Sequence, residues 1–144
     1  MFEKLFLLVK NNAGMAVIDN PAIPVKYHEA VINEASSSII EVLKGQVETG
    51  RITDLIRFFQ VSGYNSSIVS SMVNRFANKL NNFYGVDSSS AWTTANSLIQ
   101  PVMLELVKQS KNEQNTDFGL TNLLSKLNGN RADMKVLVNR MMAA

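Results

Sequence analysis

Few side chains in this sequence could do acid–base or nucleophilic chemistry. It holds one histidine, His28, and no cysteine. A general base built on a lone imidazole needs a carboxylate to orient it and a nucleophile within reach. Glu29 follows His28 directly and on a helix points about 100° away, while Tyr27 and Glu34 do not share the histidine's face. Without cysteine there is no thiolate nucleophile, disulfide or sulfur-ligated metal. A metal site would rest on carboxylates, yet neither a D-x-D-x-D-G loop nor a Glu-x-x-His pair occurs. Glu34, Glu41 and Glu48 recur at a seven-residue spacing, which suits the solvated face of a helix. The two "SSS" triplets, 36–38 and 88–90, lack the glycines of a nucleophile elbow, and no phosphate-cradling glycine motif is present. The expectation is a non-enzymatic protein with no catalytic, metal-binding or cofactor-binding residues.

The elements that would position these residues are helical. Phe2, Leu5, Phe6, Val9, Ala13, Ala16 and Val17 recur at spacings of three and four, which predicts one helix running to about residue 17. Asn20-Pro21 ends it, because a residue before proline is pushed out of the α region. Pro24 suits the first turn of the next helix. On that helix His28, Ile32, Ala35, Ile39, Leu43 and Val47 form the dry stripe, with the glutamates opposite. His28 is therefore expected to pack at the edge of a core face and touch a polar partner, a common place for this residue type. Gly45 and Gly50 close the segment.

A short helix over 52–60 points Ile52, Leu55, Ile56 and Phe59 inward. A helix over 66–84 does the same with Val69, Met72, Val73, Phe76, Leu80 and Phe83, and Gly85 stops it. Asp87 or Ser88 caps a further helix whose inward stripe is Trp92, Ala95, Ile99, Val102 and Leu106 and which continues through Pro101. Two short helices, about 120–128 and 131–142, complete the chain. The fold class expected is all-α, a compact multi-helical single domain (1–144) of six or seven helices.

Two stretches of the chain are alike. "ITDLIRFFQ" (52–60) aligns with "LTNLLSKLN" (120–128), and the helices that follow carry "MVNRF" (72–76) and "LVNRM" (137–141). This suggests a duplicated helical hairpin, about 52–76 and 120–141. The "TDLIRFF" and "TNLLSKLNG" elements, with the opening "MFEKLFLLVKNNAGMAVIDNPAIP", resemble the YidB-like family of small bacterial proteins. The resemblance covers most of the chain. It implies a helical protein of unknown function and carries no catalytic motif.

Composition narrows the partners. Hydrophobic residues make up 46% and charged residues 18%, a globular balance. A net charge of +2 predicts no dominant attraction to nucleic acid or anionic membrane. The apolar run Leu5–Val9 is too short for a signal peptide, and no run reaches the ~20 apolar residues of a membrane span, so a cytoplasmic location is expected. Helices 52–60 and 66–84 superficially resemble a helix-turn-helix, with Arg75, Asn78, Lys79 and Asn82 on the polar side or its border of the second helix. Arg and Asn read guanine and adenine edges, but the helix adds little charge for phosphates. Apolar residues also exceed one stripe at Leu7 and Leu8, at Phe58 beside Phe59, and at Met141 and Met142. Surplus of this kind marks partner surfaces. The leading expectation is a module that binds another protein or itself; nucleic-acid binding through 52–84 is the alternative.

Overall fold

The computed structural model describes residues 2–61, 66–112 and 114–128. Among them are six α-helices and no strand: α1 (Phe2–Asn11), α2 (His28–Glu48), α3 (Ile52–Gln60), α4 (Ser66–Tyr84), α5 (Ser88–Ser110) and α6 (Leu120–Leu127). The chain is all-α, as its periodicity predicts. The buried apolar side chains form one cluster, from Leu5 of α1 to Leu127 of α6.

The helix α2 lies at the centre and packs against α1, α3, α4 and α6. A helix covered on several sides must bury more than one stripe. Beside Ile32, Ala35, Ile39 and Leu43, it buries Val31, Ile40 and Val42, and also Ser36 and Ser38. A buried hydroxyl needs a partner. Ser36 donates to the Ile32 carbonyl at 3.1 Å and Ser38 to the Glu34 carbonyl at 2.8 Å, each one turn back. The first serine triplet is thus a packing device: small, self-satisfied side chains where other helices approach.

The first segment departs from one continuous helix. After α1 the backbone turns and resumes as a π-helical turn, Gly14–Ile18, with Ile18 N–H on the Ala13 carbonyl at 3.1 Å and Asp19 N–H on the Gly14 carbonyl at 2.9 Å. Asn12 provokes the break by donating its side-chain amide to the Leu8 carbonyl at 2.8 Å, which satisfies an orphan group at the helix end. Ala13, Ala16 and Val17 are buried nonetheless, because the wide turn returns them to the core.

Asn20 anchors the connector that follows. Its amide donates to the Ala16 carbonyl at 3.0 Å and to Thr94 Oγ1 of α5 at 2.9 Å, while its Oδ1 accepts the Ala22 N–H at 2.9 Å. Beyond Pro24 a 3₁₀ turn, Val25–Tyr27, leads into α2. Tyr27 meets Tyr84 at the end of α4 edge-on, with centroids 5.5 Å apart.

Two aromatic positions differ from the expected inward stripes. Phe83 is 72% exposed, although it is in phase with Phe76, because α4 ends one residue later. Gly85, at φ +69°, turns the chain so that Val86 fills the end of the core instead, its N–H on the Leu80 carbonyl at 3.2 Å. Trp92 is 51% exposed, whereas Ala91, Ala95, Leu98 and Ile99 are buried. The groove it lines is bordered on α4 by Ser70 and Asn74, so no complete apolar wall covers the indole. Asp87 caps α5 by accepting the Ser90 N–H at 3.1 Å, and α5 continues through Pro101.

The two copies of the suggested repeat can be compared in their first helices. Leu55, Ile56 and Phe59 of α3 are buried, and so are Leu123, Leu124 and Leu127 at the equivalent positions of α6. Both helices pack on α2. The second helix of the later copy, 131–142, lies outside the described residues.

Two substitutions test this packing by urea unfolding. Ser36→Leu overpacks the α2 interface and lowers stability by about 1–3 kcal/mol, whereas Ser36→Ala stays within about 0.5 kcal/mol because the lost hydroxyl bonded only its own helix. Asn20→Ala removes three hydrogen bonds, one of them to the buried Thr94, and costs about 1–3 kcal/mol.

Candidate interaction surface

Of the described apolar residues that exceed one stripe, Leu7 alone stands out in water. Leu5, Leu8 and Val9 form the core face of α1, and Leu7 points away from it at 48% exposure. Leu8 is buried, which corrects its reading as surplus: the core face of α1 is wide enough to take it. Phe58 is also buried, at 3% exposure, and meets Phe59 edge-on at 5.2 Å. The reason is that α3 packs against both α2 and α5, so it buries two adjacent aromatics on different faces. Met141 and Met142 lie outside the described residues.

Leu7 borders a shallow groove of about 430 Å³ between α1 and α2. Glu3 and Leu7, one helical turn apart, and Phe6 line it from α1; Glu29 and Asn33, likewise one turn apart, line it from α2. Its wall is mainly apolar, with two carboxylates at hand. Met15, Ile18 and Val25 of the connector and Leu104 of α5 are exposed as well. Met15, Ile18 and Leu104 lie off the inward stripes of their segments, in keeping with their exposure.

The positions expected to meet nucleic acid share the outer side of α4. Arg75, Asn78 and Asn82 are exposed and Lys79 is half-buried. The two cations are engaged within the protein: Arg75 Nη1 lies 2.8 Å from Glu41 Oε2 and Lys79 Nζ 2.7 Å from Glu41 Oε1. One carboxylate of the wet face of α2 therefore ties it to α4. Partial burial raises the Glu41 pKa, but the hydrogen bonds and charges of Lys79 and Arg75 outweigh this and hold it below the ordinary carboxylate value. A phosphate would have to compete with Glu41 for both cations.

His28 is half-buried at the start of α2, and its Nε2–H donates to the Ile23 carbonyl oxygen at 3.0 Å. It closes the connector onto the helix, the packing role expected of it. Among the described residues no three His, Asp or Glu side chains stand together in a way that could hold a metal ion. No helix there is long and apolar enough to cross a membrane.

Comparison of the chain with protein families, with curated proteins and with solved structures gives no match.

The Glu41 bridge sets a pH signature. Because its pKa is depressed in the folded state, its stabilisation is present above the unfolded carboxylate pKa and is lost as pH falls through the folded value. Arg75 and Glu41 are well exposed, so the effect is small. Glu41→Gln lowers stability at pH 7 by no more than about 1 kcal/mol. Urea midpoints of variant and wild type converge in acid and in about 1 M salt, where the pair is protonated or screened.

Proposed function

We propose that this chain is a cytoplasmic, non-enzymatic helical module that binds another protein through the groove between α1 and α2. The observation that carries this reading is Leu7: a large aliphatic side chain half in water, beside Phe6, in a mainly apolar groove. Each aliphatic side chain buried on association contributes about 1.5–3 kcal/mol, and a central apolar anchor with a polar rim is the usual anatomy of a protein contact. Glu3, Glu29 and Asn33 supply that rim and give the contact its orientation.

The residues of the chain agree with a binding role better than with chemistry. His28 spends its Nε2–H on a backbone carbonyl, and Glu41 is engaged by two cations. The alternative, nucleic-acid binding through 52–84, draws on Arg75, Asn78, Lys79 and Asn82, and pairing of Arg75 and Lys79 with Glu41 leaves it second. The likeness to the YidB-like family adds a helical architecture to this reading and no ligand.

Leu7→Asp tests the proposal, since residue 7 faces away from the core and the variant should fold as wild type by circular dichroism. Tagged wild-type protein is expected to retain partners after nuclease treatment, or to self-associate by light scattering, and L7D to lose that association at least tenfold. Identical partners and mass for both proteins would place the contact elsewhere; partners lost from both on nuclease treatment would favour the nucleic-acid reading.

A further inference from the structure

Among the described residues, three large apolar side chains stand exposed within the body of a helix: Leu7 of α1, and Trp92 and Leu104 of α5. The others lie at helix ends or on the connector. Trp92 faces a mainly polar groove, whereas Leu104 is 70% exposed and is followed one turn later by Lys108, also exposed. An aliphatic side chain and a cation therefore share one strip of the outer face of α5. Val102, Met103, Leu106 and Val107 are buried beneath this strip, so the helix is seated without Leu104. The groove between α1 and α2 carries the opposite sign. Phe6 and Leu7 give its apolar wall, and the Glu3 and Glu29 carboxylates stand beside it. Among the described residues no ion pair engages Glu3, Glu29 or Lys108, whereas Arg75 and Lys79 are taken by Glu41. The whole chain is divided in the same sense: residues 1–54 hold seven acidic and five basic side chains, residues 55–144 five and nine.

We propose that the α1–α2 groove receives the Leu104–Lys108 strip of a second copy of this chain. The proposal rests on the reading of that groove as a protein contact and names its occupant. A helix laid in an apolar groove engages it through side chains one turn apart. Leu104 meets the wall made by Phe6 and Leu7, and Lys108 reaches the carboxylates at the rim, so apolar and charged groups are matched together. Other exposed apolar residues lack one half of the match. Phe83 has Lys79 one turn back, but Glu41 holds that cation. Val61 follows Arg57 by one turn but has left the helix, at φ −116° and ψ 97°. Glu105, next to Leu104, is turned about 100° from it and accepts the Gln109 amide at 3.0 Å. Because the contact joins two different surfaces, each copy offers both halves. They go to two neighbours in a row or, across a two-fold axis, to the same one.

Sedimentation of the full-length protein over a range of concentrations tests this. The contact is small, so wild type is expected to gain mass with concentration, half-complete on the order of 100 μM. Leu7→Asp and Leu104→Asp, both at exposed positions, should each weaken the association at least tenfold while keeping helical circular dichroism. Mixed in equal amounts, the two variants should associate again, because L7D retains the α5 strip and L104D retains the groove. Lys108→Glu changes charge alone. It should weaken association at least fivefold at low salt and much less in about 1 M salt, where the rim charges are screened. If L104D loses its helical spectrum, K108E carries the test. Association that survives L104D, that ignores K108E, or that mixing fails to restore overturns the proposal. A wild type that stays monomeric overturns it too, yet leaves the groove open to a foreign protein captured by wild type and not by L7D. The two readings therefore fail separately.

Discussion

The burial of α2 on several sides is the constraint from which the rest of the structure follows. A helix in that position loses water along much of its circumference, so every polar group on its buried arc must find a hydrogen-bond partner within the protein. Ser36 and Ser38 do so through carbonyls one turn back, and their small size lets neighbouring helices approach. The core then extends outward from α2: α3 and α6 pack on it in the same register of leucine and phenylalanine, α1 covers another side, and α4 is fastened to its wet edge through Glu41. At this edge Glu34 of the seven-residue glutamate series lies close enough to Tyr84 at the end of α4 to raise, after burial, its hydroxyl pKa, and Glu41 pairs with cations of a partner helix. Glu48, two turns further on, stays in solvent.

The connector between α1 and α2 is where local chemistry and global packing meet. Asn12, Gly14, Asn20 and Pro21 interrupt a pattern whose apolar spacing would otherwise continue as one helix. The interruption places Asn20 against Thr94, binding the connector to α5, and brings His28 back onto Ile23. Backbone groups freed by the break are taken up by side-chain amides, so little is lost by leaving the helix. The same segment leaves Met15 and Val25 almost fully in water and Ile18 half so, because a chain turning twice within a dozen residues cannot aim every apolar side chain at one core.

Two of the surfaces left around the core contrast in chemistry. One is mainly apolar with carboxylates beside it, between α1 and α2; the other, between α4 and α5, is mainly polar and among the described residues is lined by amides, Ser70, Val73 and Trp92. Their lining chemistry differs accordingly. Arg75 and Lys79, which by type alone suggest phosphate, are drawn into holding α2 and α4 together.

What the sequence determined alone was set by short-range rules. Apolar spacing gave α2 to α6 and most of their buried faces; Asp87, Gly85 and the Asn20-Pro21 pair marked ends, since caps, positive φ and proline sterics act within a few residues. His28 as a packed histidine and Leu7 as an apolar residue in water were legible for the same reason. The tertiary structure alone decided how wide each buried face is. Leu8 and Phe58 went inside because α1 has a broad core face and α3 has neighbours on two sides; Trp92 and Phe83 stayed out because the surface facing the first is largely polar and the helix carrying the second ends. Helical phase places a side chain on a meridian, but burial depends on what another element brings to that meridian. That is why Glu41 with its two cations, and the amide groove around Trp92, could be seen only after the helices were packed.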